Sequence, residues 1–157
     1  MAKTFRVGPF MRIANAFMSA LLRRGVQAGG NVLLTVPGRK SGQPRTTPVT
    51  VLTWNGSRYL QSPFGEVDWV RNLRAAGGAT LTRGRWTEAI WAVEISPAEA
   101  AQVYKATIAS YPTFIKNHFD VEPGSPIAAF EAEARRHPMF RIAAAPLAPP
   151  PDRRERP

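Results

Sequence analysis

Asn55-Gly56 constrains this chain more than any other pair of residues. Asn-Gly suits the two-residue turn of a β-hairpin, where both positions need φ > 0, and here it joins a threonine- and valine-rich run at 45–54 to a second run at 58–61. β-Branched side chains favour the pleated surface of a sheet. Residues 31–36 form an earlier apolar run that stops at Pro37 and Gly38, so the first half reads as a β-meander. Two further runs, 79–82 and 86–95, meet at Gly84, and 139–144 reads as a last strand. Within 86–95, Trp86, Glu88, Ile90, Ala92 and Glu94 alternate with Thr87, Ala89, Trp91, Val93 and Ile95, the strand period of two. Six short strands are too many for an open meander of this size, and closing the sheet removes exposed edges. The expected fold is mainly β with α: a small barrel of about six antiparallel strands with peripheral helices.

The helical signals lie between and outside these runs. Phe10, Ile13, Ala14, Phe17, Met18 and Leu21 recur at helical spacing beside Arg12, Arg23 and Arg24, and Gly25 stops the pattern. This amphipathic basic helix suits the barrel surface first, and it also suits the face of an anionic membrane. Asp68 is placed to cap a short helix through Trp69, Asn72, Leu73 and Ala76, ended by Gly77 and Gly78. Ser96, Pro97 and Glu99 form a capping box opening a helix to about Ser110. A short segment follows at 111–120, then a helix near 127–136. From Pro146 the chain is proline-rich and without apolar period, as disordered tails are. The expected organisation is an amphipathic helix at 1–27, a barrel domain at 28–145 and a tail at 146–157.

Composition narrows the chemistry. There is no cysteine among 157 residues, which excludes disulfides and thiolate chemistry and suits a reducing, cytoplasmic setting. The longest apolar run falls well short of the ~20 residues of a membrane helix, and no cleavable leader is expected. A net charge of +10 predicts attraction to phosphates, polycarboxylates, nucleic acid or anionic lipid. The only histidines, His118 and His137, have no companions at metal-ligand or triad spacing, so no metal site is expected and both read as surface or satisfied residues. The chain lacks GxGxxG and the βαβα alternation of a Rossmann site. Nucleic acid is not expected as a partner, because base stacking needs exposed aromatics and these fall mostly on expected core faces.

Two loops remain as candidates. Gly38-Arg39-Lys40-Ser41-Gly42-Gln43-Pro44-Arg45 sets three cations and a hydroxyl between two strands. It reads equally as a cradle for an anion, with guanidinium forks and inward backbone N–H groups, and as a solvated hairpin loop. The second candidate, Ser62-Pro63-Phe64-Gly65 followed by Asp68-Trp69-Val70-Arg71-Asn72-Leu73, joins a strand end to a helix start. There Trp69 reads most simply as core, whereas Asn72, polar between apolar helical positions, needs a hydrogen-bond partner.

With both loops in view, VLLTVPGRKSGQPRTTPVTV, then NG-R-YL, then SPFGEVDWVRNLRAAG resembles the deazaflavin-dependent nitroreductase family, also described as F420H2-dependent quinone reductases. The resemblance spans roughly residues 33–95 and continues loosely to Ile142. It implies a split β-barrel related to FMN-binding folds, with coenzyme F420 as an exchangeable hydride donor. It also implies that Arg39, Lys40, Ser41 and Arg45 hold the phosphate and oligoglutamate tail. Pro48, Ser62, Phe64, Gly65, Trp69 and Asn72 would then surround the deazaflavin ring or its linker. Tyr111, in the segment Tyr111-Pro112-Thr113-Phe114, and Ser62 would act at the reacting atoms, Tyr111 as a proton donor. Members that reduce nitroimidazoles carry further tyrosines after the Y-P pair, where this chain has Phe114 and Asn117. Phe64 stands where a lysine can occur, and the loop after Ser62 is shorter. These departures point to a more apolar acceptor pocket, for quinones, enones or other lipophilic small molecules. An FMN-binding split-barrel protein and a noncatalytic basic module for lipid or nucleic acid are the alternatives. The oligomeric state is not read from the sequence.

Overall fold

A computed structural model of the protein describes residues 9–25 and 30–144. Six strands, β1 (Asn31–Pro37), β2 (Pro44–Trp54), β3 (Ser57–Gln61), β4 (Gly78–Arg83), β5 (Trp86–Glu94) and β6 (Met139–Ala144), close into a barrel in the order β1-β2-β3-β6-β5-β4. All neighbours are antiparallel. The Asn-Gly turn forms as its residues dictate, with φ of 49° at Asn55 and 76° at Gly56, between the paired residues Trp54 and Ser57. Closure comes from three long-range ladders, β1 on β4, β3 on β6 and β5 on β6, that no local signal encodes.

Alternation along the strands divides two cores. Leu60, Phe140, Ile142, Ile90 and Leu81 turn inward with Leu34 and Val36, and helix α2 (Asp68–Ala76) adds Val70 and Leu73 to them. Their neighbours Tyr59 and Met139 turn outward and pack with Ala101 and Tyr104 of α3 (Pro97–Thr107) and Phe130 of α5 (Ile127–Ala134). The inner core fixes α2 against the barrel. At its C-terminus Gly77 has φ 72°, and a Cβ there would lie 2.8 Å from the Trp91 ring, so only glycine fits.

Half of the expected α3 capping box forms: the Ser96 hydroxyl accepts the Glu99 N–H at 3.2 Å, with Pro97 in the first helical position, while the Glu99 carboxylate accepts from Arg141 Nη1 at 2.7 Å. Ser96→Ala is expected to cost about 1 kcal/mol of stability, measurable by urea unfolding. A 3-10 turn at Ile108–Ser110 extends α3, and α4 (Thr113–Lys116) is a single turn within the segment expected at 111–120.

The structure corrects several expectations. Asp68 does not cap α2; Val67 occupies that position and no side chain caps the helix. The helix α1 (Pro9–Arg23) rests on the barrel through the fully buried Leu22, whose carbonyl accepts the Gly84 N–H at 2.7 Å. Ile13 and Phe17, expected on its apolar face, are 70% and 66% exposed. Trp86, Trp91 and Phe114 are exposed as well, exceptions among described aromatics that are mostly buried or half-buried. His137 is buried against Phe119, with Nε2 3.2 Å from Glu133 Oε2 and no hydrogen-bond partner for Nδ1. Burial holds its imidazole below the ordinary histidine value. The tail expected at 146–157 lies outside the described residues, as do 1–8 and 26–29. No helix among the described residues is long and apolar enough to cross a membrane.

Candidate functional site

A cavity of about 550 Å³ lies between the β1–β2 loop, the start of β2, the segment from Phe64 to Asn72, and α1. Its first wall is the cationic hairpin loop. The Gly38 N–H donates to Gln43 O and the Gly42 N–H to Gly38 O, both at 2.8 Å, and Gly42 takes φ 70°, so the chain folds back tightly. This turn brings Arg39, Lys40 and Ser41 to the cavity together with Arg45, and Pro48 follows on β2. The facing wall is built by Phe64, Val67, Trp69 and Asn72. Trp69 is backed by Phe140 of the inner core at 6.0 Å, and Phe64 meets His118 edge-on at 4.8 Å.

Asn72 joins the two walls. It is buried, and its Oδ1 accepts the Arg39 backbone N–H at 3.1 Å and Arg39 Nη1 at 2.8 Å. A polar side chain between Val70 and Leu73 therefore has the partner its position demands. The guanidinium of Arg39 also lies 3.4 Å from Asp68. Lys40 and Arg45, in contrast, form no ion pair with any described residue, so their charge is available to an incoming anion.

Three residues expected in the site do not line the cavity. Ser62 is fully buried; its hydroxyl donates to Gly65 O at 2.5 Å and its carbonyl accepts the Gly65 N–H at 3.2 Å. These bonds close the turn that presents Phe64, and they commit the Ser62 hydroxyl to the fold. Gly65, at φ 86°, serves the same turn. Tyr111 belongs to the outer core beside Phe119, with its hydroxyl 2.9 Å from Thr107 Oγ1. Burial raises its pKa well above the ordinary tyrosine value, which opposes ionisation. In this structure Tyr111 therefore packs as part of the outer core and does not line the cavity. Tyr111→Phe is expected to cost about 1 kcal/mol of stability and to leave turnover within about twofold, checked by denaturation and steady-state rates.

Sequence reasoning missed Asn15, Thr46, Thr47, Val67 and Asp68 as lining residues. Asn15 carried a signal, a polar side chain among alanines and apolar residues on α1. Asp68 was obscured by its resemblance to a helix cap. Among the described residues no cluster of histidine, aspartate and glutamate is arranged to hold a metal.

Comparison with known proteins gives this cavity its context. A family model described as F420H(2)-dependent quinone reductase matches residues 11–130. No curated protein matches the chain. Among solved structures, one described as a domain-swapped dimer aligns over 87% of this chain and 100% of its own, at 18% identity and a TM-score of 0.52, a likeness of fold. Another, described as an F420-H2 dependent reductase (FDR-A), aligns over 76% of this chain and 100% of its own, at 21% identity and a TM-score of 0.49. A third, from Clostridium acetobutylicum, is described as related to general stress protein 26 of the pyridoxinephosphate oxidase family; it aligns over 74% of this chain and 75% of its own, at 9% identity and a TM-score of 0.49. The family match runs through most of the chain and contains every residue that lines the cavity, and on that ground the chain belongs to the F420H2-dependent quinone reductase family.

Proposed function

We infer that the cavity binds coenzyme F420 and that the protein reduces a lipophilic quinone or enone there. The observation that carries this reading is the pairing of two unlike walls. Lys40 on the tight glycine-bounded loop and Arg45 at the start of β2, without ion-pair partners among the described residues, face a wall of Trp69, Phe64 and Val67. The donor set fits the group: a flat deazaflavin ring suits the aromatic wall, and a phosphate and oligoglutamate tail suits the cationic one. About 550 Å³ is also within the usual size of a cofactor pocket. Arg39, Lys40, Ser41 and Arg45 would hold the tail, and Pro48, Phe64, Trp69 and Asn72 the ring and linker.

When bound in its reduced form, the cofactor supplies the hydride. The chain's residues bind, orient and exclude water. Trp69, fixed by Phe140, and Phe64, fixed by the Ser62–Gly65 turn, provide rigid surfaces against which a planar group is oriented. Among the described residues the lining includes neither histidine nor tyrosine, and Asp68 is its sole carboxylate, which leaves the Lys40 ammonium and solvent as sources of the proton that the reduced acceptor needs. Ser62 and Tyr111 act through the fold.

Helix α1 bears on acceptor entry. Asn15 faces the cavity, while Ile13 and Phe17 present an exposed apolar stripe flanked by the exposed Arg12, Arg23 and Arg24. Such a helix seats on an anionic membrane surface, where lipophilic acceptors dissolve. This reading places the protein peripherally at the inner face of the cell membrane.

Steady-state assay with menadione tests the function. Turnover is expected with reduced F420 and not with reduced FMN, and the reverse preference would transfer the site to a flavin.

A further inference from the structure

Asp68 is an acidic residue in a cavity whose other charged lining residues are Arg39, Lys40 and Arg45. It does not cap α2. Its Oδ1 lies 3.4 Å from both Nη1 and Nη2 of Arg39 and 3.9 Å from Nη1 of Arg71. These are long contacts, and the Asp68 side chain is 81% exposed, so water screens the pair and little holds it together. Arg39 has a second and firmer anchor in the buried amide of Asn72, at 2.8 Å. That anchor is neutral and does not compete with an anion. If Asp68 releases the guanidinium, Asn72 keeps it at the cavity wall.

Resting on the reading of this cavity as a coenzyme F420 site, we propose that Asp68 sets the affinity for the cofactor's anionic tail by competing with it for Arg39. The Asp68 carboxylate lies 3.4 Å from the guanidinium, on the group that a ligand anion would take. An entering phosphate or glutamate carboxylate takes over Arg39 and meets the field of Asp68 at close range. Both effects lower affinity, the first by removing an ion pair and the second by like-charge repulsion. A hydride donor that must leave after each turnover gains from this, because affinity differences among variants of one site are expressed mainly in dissociation rate. Lys40 and Arg45 then attract the tail, and Asp68 limits how long it stays.

The test is a fluorescence titration of the wild type, Asp68→Asn, Asp68→Ala and Asp68→Glu with oxidised F420, and with the deazaflavin fragment that lacks the phosphate and glutamates. Asn and Ala are expected to bind intact F420 about three- to tenfold tighter than the wild type, with a steeper loss of affinity as salt rises. Glu is expected to stay near the wild type, and the tail-less fragment to bind all four proteins alike. Equal or weaker binding of F420 by both Asn and Ala variants would overturn the proposal, and so would an equal gain with the tail-less fragment. If the wild type binds F420 and the neutral variants gain nothing, only this proposal falls. If none of the four binds F420 at low ionic strength, the site reading falls with it.

Discussion

Replacing Lys40 and Arg45 together by alanine is expected to weaken F420 binding by about a hundredfold or more, with the rate at saturating cofactor changed only a few-fold. A charge-assisted hydrogen bond is worth about 1.5 to 3 kcal/mol, and each ~1.4 kcal/mol is a factor of ten. The two cations serve one tail, so their effects need not add. Neither side chain has an ion-pair partner within the described protein, so their removal takes away no internal salt bridge. The double variant should therefore unfold at the wild-type urea midpoint, which separates lost binding from lost structure. Unchanged affinity with a large fall in turnover would move these residues from tail recognition to the reaction itself.

The second large effect concerns the support behind the aromatic wall. Phe140 is 1% exposed in the inner core, and its ring lies 6.0 Å from that of Trp69. Phe140→Ala is expected to cost about 3 to 5 kcal/mol, the transfer term plus the cavity left behind. A domain of this size is stable by only about 5 to 15 kcal/mol, so the variant should sit near the margin of folding. Cofactor affinity should fall as well, because Trp69 loses its backing. Phe114, 63% exposed, is the control; its replacement by alanine should change stability by no more than about 0.5 kcal/mol. Denaturant unfolding of both variants provides the comparison. An equal loss from the two would contradict the assignment of the inner core.

What the residues disclosed depended on whether the physics was local. The Asn55-Gly56 turn, the Ser96 cap of α3 and the alternation in β5 are short-range, and all appear in the structure. The ladders of β1 on β4 and β3 on β6 join distant segments, and only the argument about exposed edges pointed to them. In the site, Asn72 was legible as a buried amide in search of a partner, but that the partner would be Arg39, 33 residues away, was not. Tyr111 was misplaced because a tyrosine beside a proline looks the same in sequence whether it faces a cavity or a core. Its position in the outer core depends on how α3 and α5 cover the barrel. Asp68 was misread for a similar reason. A carboxylate in the first turn of a helix is favourable with or without capping, so the sequence alone hid its contact with Arg39.

On this account Lys40 and Arg45 grip a polyanionic tail and so place a planar hydride donor against Trp69 and Phe64. That grip is tested most directly by titrating the wild-type protein with intact F420 and with its tail-less fragment at several salt concentrations. The expected result is much tighter binding of intact F420 at low salt, with the gap between the two closing as salt rises. Equal affinity for both ligands, insensitive to salt, would contradict it.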